Sequence, residues 1–73
     1  MNSIDLHGVK HEDVGKLLDS FLWENMQKNV KGVRIITGNS SEMKRIVNEI
    51  IEEYGFVAVE EYFNTGSICV NMV

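Results

Sequence analysis

The sequence predicts a small α/β domain, an α+β two-layer sandwich of element order β-α-β-α-β-β with both helices on one face of the sheet. Three observations predict it. The chain has 73 residues, enough for one such unit and too few for a doubly wound sheet, a TIM barrel or a separate substrate domain. Two segments repeat apolar residues at helical spacing, and short β-rich segments bounded by glycine flank them. Proline is absent, and no Gly/Ser-rich linker or solenoid repeat divides the sequence. Residues 1–73 therefore read as a single domain.

Ser3 to Leu6 is the first strand, ending at His7-Gly8. From Lys10 to Lys28 the apolar residues Val14, Leu17, Leu18, Phe21, Leu22 and Met26 form one stripe of an amphipathic helix. Glu12 and Asp13 suit its first turn, where carboxylates complement the helix dipole. Lys31-Gly32 turn the chain into the β-branched strand Val33 to Ile36, which ends at Thr37-Gly38. Ser40 or Ser41 caps a second helix whose buried stripe is Met43, Ile46, Val47, Ile50, Ile51 and Tyr54. Gly55 stands where a left-handed C-terminal cap belongs. Phe56 to Phe63 reads as the third strand, Asn64 to Ser67 as a tight turn, and Ile68 to Met72 as the hairpin partner.

Composition narrows the functional classes. Charged residues at 25% and hydrophobic residues at 44% exclude disorder. The net charge of −4, from 7 basic and 11 acidic residues, argues against tight non-specific DNA binding but not against a local positive cluster. One cysteine, Cys69, forms no internal bridge, so a reducing cytoplasm is the expected setting. Two histidines and one cysteine are too few for a four-ligand zinc site, and the sequence calls for no metal site and no cofactor. No apolar run is long enough to span a membrane, and the first residues lack a basic n-region, so neither a membrane partner nor export is expected.

Right-handed crossovers would bring the carboxyl ends of the first three strands to one sheet edge. Three loops would meet there: His7-Gly8-Val9, Gly38-Asn39-Ser40 and Asn64 to Ser67. Open α/β sheets place their sites at that edge, beside helix N-termini that attract anions. Asp5 and His7, two apart on an extended segment, leave it on the same side. A carboxylate beside an imidazole fixes its tautomer and raises its pKa, preparing His7 for acid–base work. The commoner outcome of D-x-H alone is an aspartate capping a turn beside an exposed histidine. Thr37-Gly38-Asn39-Ser40 joins a strand to a helix N-terminus. It serves either as an anion cradle, with Gly38 permitting close approach, or as an ordinary capped turn. No Walker lysine and no G-x-G-x-x-G is present, which argues against a nucleotide cofactor.

Ile4-Asp5-Leu6-His7-Gly8, a helix, Ile35-Ile36-Thr37-Gly38 and a second helix together resemble the small MutS-related (Smr) domain. Its two hallmarks are D-L-H-G after the first strand and T-G-x-G or H-G-x-G after the second. The first is complete at Asp5, Leu6, His7 and Gly8. The second is matched by Thr37 and Gly38, with Asn39 at the variable position and Ser40 in place of the final glycine. Met43-Lys44 and Val47 fall where the family has L-R or L-K and a valine, and Gly66 to Met72 resembles its closing loop and strand. The resemblance covers essentially the whole chain. It implies a fold like the C-terminal domain of bacterial translation initiation factor three, with a four-stranded mixed sheet in order 1-2-4-3. It also implies nucleic-acid binding, and an endonuclease activity found in several members. Carried over, Asp5 and His7 are the catalytic pair, Gly38 belongs to the phosphate-approach loop, and Lys44 stands where RNA-cleaving members carry a basic residue.

The expected nucleic-acid contacts are Gly8, Lys10, Thr37, Gly38, Asn39, Ser40, Lys44 and Arg45. Lys10, Lys16, Lys44 and Arg45 lie toward the same edge, with Glu12, Asp13 and Glu42 partly cancelling them. Trp23 falls opposite the apolar stripe of its helix, where an exposed tryptophan would mark a protein partner. His11 reads as a surface residue at a helix start and Cys69 as packing. A divalent cation is not required, although Asp5 and His7 would suit a weak magnesium or manganese site. Two other readings stand beside the nuclease. One is a catalytically silent module that binds nucleic acid or protein, and the other is an interaction protein that binds no nucleic acid.

Overall fold

The computed structural model describes residues 2–60 and 64–72. Along the chain lie β1 (Asn2–Asp5), α1 (His11–Gln27), β2 (Gly32–Ile36), α2 (Ser41–Glu53), β3 (Val57–Glu60) and β4 (Ser67–Asn71), the expected order. The sheet runs β1-β2-β4-β3. β1 is parallel to β2, and β4 is antiparallel to both β2 and β3. β1, β2 and β3 therefore point the same way, and their carboxyl ends share one edge. The part of the expected third strand from residue 61 to 63 lies outside the described residues.

Both helices pack on one face. Val14, Leu18 and Leu22 of α1 and Met43, Val47 and Ile51 of α2 close over Leu6, Val33, Ile35, Ile68 and Val70. Alternation along β2 buries Val33 and Ile35 and turns Arg34 and Ile36 to the other face, as the period of a strand requires. The same alternation leaves Cys69 half-buried rather than in the core, between buried Ile68 and Val70.

The stripe of α1 departs from expectation. Leu17 and Met26 are exposed, and Asn25 takes the core-facing position with 3% of its surface accessible. Both ends of its amide are engaged: it donates to the Phe21 carbonyl at 2.8 Å and accepts from the Asn2 side chain at 2.6 Å. Edge strand β1 is thereby clipped to α1 by a satisfied buried polar group. Asn29, at φ +56°, ends α1 through bonds from its own N–H to Met26 and from Val30 N–H to Asn25. α2 ends in the same way at Gly55, where Gly55 N–H reaches Glu52 and Phe56 N–H reaches Ile51. Tyr54 then stacks on Phe56 at 5.8 Å and donates its hydroxyl to Asp19 of α1 at 3.0 Å. Among the described residues no helix is long and apolar enough to cross a membrane.

Candidate functional site

The three loops expected at one edge are in contact. Leu6 N–H reaches the Ile36 carbonyl at 2.8 Å, carrying the β1–β2 ladder one residue beyond the strands. A turn closed by Val9 N–H on the Leu6 carbonyl then lifts His7 and Gly8 off the edge. Gly8 takes φ +80°, as the third position of a type II turn requires. The exposed His7 ring lies against Gly38: a Cβ built on Gly38 would stand 3.0 Å from His7 Cδ2. Gly38 itself holds φ +68°. Glycine is needed there on both counts, for a left-handed backbone and for room under the imidazole.

Asp5 uses its carboxylate differently from a carboxylate–imidazole pair. Its Oδ1 accepts the backbone N–H of His7 at 2.9 Å. Among the described residues no hydrogen bond reaches the ring. Asp5 therefore shapes the turn that presents His7, and the imidazole nitrogens remain open to a bound molecule.

The second loop is held from the hairpin side. The Gly66 carbonyl accepts Thr37 N–H at 2.8 Å and Gly38 N–H at 3.0 Å, while the hydroxyl of buried Thr37 donates to the Gly38 carbonyl at 2.8 Å. Above them Thr65 donates to the Asn39 side chain at 3.1 Å. The Gly38 amide is thus committed, which removes it from the expected anion cradle. The amides of Asn39, Ser40, Ser41 and Glu42 donate no hydrogen bond among the described residues. Ser40, at φ −73°, needs no glycine; its Oγ caps α2 by accepting Met43 N–H at 3.1 Å. One helix-terminal donor is thus satisfied by the cap, and those of Ser41 and Glu42 have no acceptor among the described residues.

The positive charge at this edge is largely paired. Lys44 Nζ meets Glu60 Oε1 at 2.7 Å. Arg45 binds Glu49 at 2.6 Å and Glu42 by two of its nitrogens. The hydrogen bond from Arg45 holds the Glu42 carboxyl below its ordinary value of 4.5, slight burial opposes this, and His11 of α1 assists. The same contacts, that with Glu42 first, raise the Arg45 guanidinium above its usual range. Lys10, just before α1, and Lys16 make no ion pair among the described residues. His11 is exposed at the start of α1, and Trp23 is 60% exposed farther along it, away from the edge. Among the described residues no three His, Cys, Asp or Glu side chains cluster so as to hold a metal ion.

Two parts of this edge escaped the sequence reading. The role of the Gly66 carbonyl was signalled only as a turn glycine. Glu60 carried no signal, because it meets Lys44 from sixteen positions away on an edge strand.

A family model described as the Smr domain matches residues 4–69. That span includes the Asp5–Gly8 and Thr37–Ser40 segments. Among curated proteins and among solved structures, nothing matches.

Proposed function

The chain belongs to the Smr domain family, and we propose from that premise that it binds nucleic acid and cleaves phosphodiester bonds at the edge where His7 rests on Gly38. The family is generally linked to nucleic-acid binding and nuclease activity. The observation that carries the reading is the contact itself. An exposed imidazole, with no hydrogen bond to its ring among the described residues, sits on the backbone of a strand-to-helix loop whose outer amides donate no hydrogen bond among those residues. RNA suits this arrangement, because its 2′-hydroxyl is a nucleophile already held beside the phosphorus. His7 takes the 2′-hydroxyl proton as the O2′–P bond forms and the P–O5′ bond breaks. The leaving oxygen is protonated from water or from the imidazolium, giving a cyclic phosphate and a free 5′-hydroxyl. The open amides of Asn39 to Glu42 and the Lys44 ammonium stabilise charge on the phosphoryl oxygens. Asp5 is a positioning residue that acts through the His7 backbone.

Incubation with labelled RNA and DNA of several shapes, with and without EDTA, tests this. His7→Ala is expected to abolish cleavage with the fold intact, because its exposed ring contributes little packing. Equal cleavage by wild type and His7→Ala would sink the assignment. A second reading, a silent binding module, draws on the committed Gly38 amide and the paired Lys44 and Arg45. It is distinguished by salt-sensitive binding without turnover. Exposed Trp23 would offer such a module a protein contact.

A further inference from the structure

We propose that Glu60 sets the affinity of this edge for nucleic acid by holding Lys44 in an ion pair that an incoming phosphate must displace. This rests on the nucleic-acid-binding reading and adds the residue that regulates it. Three observations on separate elements support it. Lys44 stands at the end of the first turn of α2, and the leading amides of that helix, Ser41 and Glu42, donate no hydrogen bond among the described residues. Its side chain is 19% exposed while that of Glu60 is 52% exposed, so Glu60 meets the ammonium from the solvent side. The sheet order places Glu60 at the end of the outermost strand, three strand spacings from Asp5. That is about 14 Å along the edge, the rise of about four nucleotides in one helical strand.

The acidic residues around Arg45 do not act in this way. Glu42 and Glu49 both lie on α2 and hold Arg45 along the helix, so neutralising one leaves the other in place. Among the described residues Lys44 has one carboxylate partner, and that partner comes from β3. Replacing Glu60 by glutamine keeps the shape and releases one whole positive charge toward the edge. Glu60 is the exposed member of the pair, so a phosphate arriving from solvent can compete with it for the ammonium. Glu60 therefore tunes affinity rather than forbidding binding.

The experiment is anisotropy titration of a fluorescein-labelled RNA hairpin with single-stranded flanks, across a salt series. It compares wild type, Glu60→Gln, Lys44→Met and the double variant. Circular dichroism checks each fold, and methionine keeps the length and apolar stem of the lysine it replaces. Glu60→Gln is expected to bind about three-fold tighter at low salt. Its salt slope should steepen by about 0.7, the share of one further phosphate contact on a single strand. That steepening should vanish in the Lys44→Met background. If wild type and Glu60→Gln bind with the same affinity and slope, Glu60 has no such role and the nucleic-acid reading stands. Equal steepening with and without Lys44 would also overturn the ion-pair mechanism. Binding by Glu60→Gln with none by wild type would overturn the tuning role, since Glu60 would then forbid binding. Failure of every variant to bind removes both proposals together.

Discussion

At the scale of single residues, the site depends on contacts that differ from those the motif suggests. Asp5 serves the backbone of His7 and not its ring, and Ser40 caps α2 where the family pattern has glycine. Against glycine a serine cap is worth a few tenths of a kcal/mol, so the departure slightly strengthens the start of α2 at no cost to backbone geometry. Gly38 is the least replaceable position. Gly38→Ala forces a side chain onto a left-handed backbone and into the His7 ring. The expected loss is about 1–2 kcal/mol of stability, measured by chemical denaturation, with shifted His7 resonances in NMR spectra. Unchanged stability and unchanged His7 resonances would show that the ring does not rest there.

Between elements, α1 and α2 are joined away from the candidate site by Tyr54 and Asp19. Partial burial first, then the Asp19 hydrogen bond and charge, raise the Tyr54 phenol above its ordinary 10.0. A folded-state pKa above the unfolded one favours the neutral phenol in the fold. The stabilisation is full below the unfolded value and is lost as pH rises through the folded one. Urea midpoints followed from neutral pH to above 10.0 should therefore fall less steeply for Tyr54→Phe than for wild type. Parallel curves would show that Tyr54 does not couple the helices. Periodicity made both helices legible because a stripe at 3.6-residue spacing has one packed solution. It misread Leu17, Met26 and Asn25, since hydropathy cannot say which flank of a stripe the neighbouring helix covers, or that an asparagine finds two partners.

For the whole molecule, the net charge of −4 and the internal ion pairs limit how nucleic acid is held. Lys28 pairs with Glu24 and Lys31 precedes β2, both toward the opposite edge. Toward the candidate edge Lys10 and Lys16 make no ion pair among the described residues, while Lys44 and Arg45 are held by carboxylates. Wild-type binding to single-stranded RNA should then show a salt slope no steeper than about −2. A slope several units steeper would require a surface other than this edge.

The sequence by itself determined the element order, the two helix stripes, the loops at one edge and the family resemblance. Each is encoded locally, in spacing along the chain and in short motifs around turn glycines. Only the tertiary structure decided which groups remain available there. Gly66 consumes the Gly38 amide, Asp5 turns to the backbone, and Glu60 reaches Lys44 across the sheet. Those partners are distant in sequence or indifferent to residue type, so no periodicity or motif records them. A hydrogen bond or ion pair is made by whichever group the packed fold brings within reach.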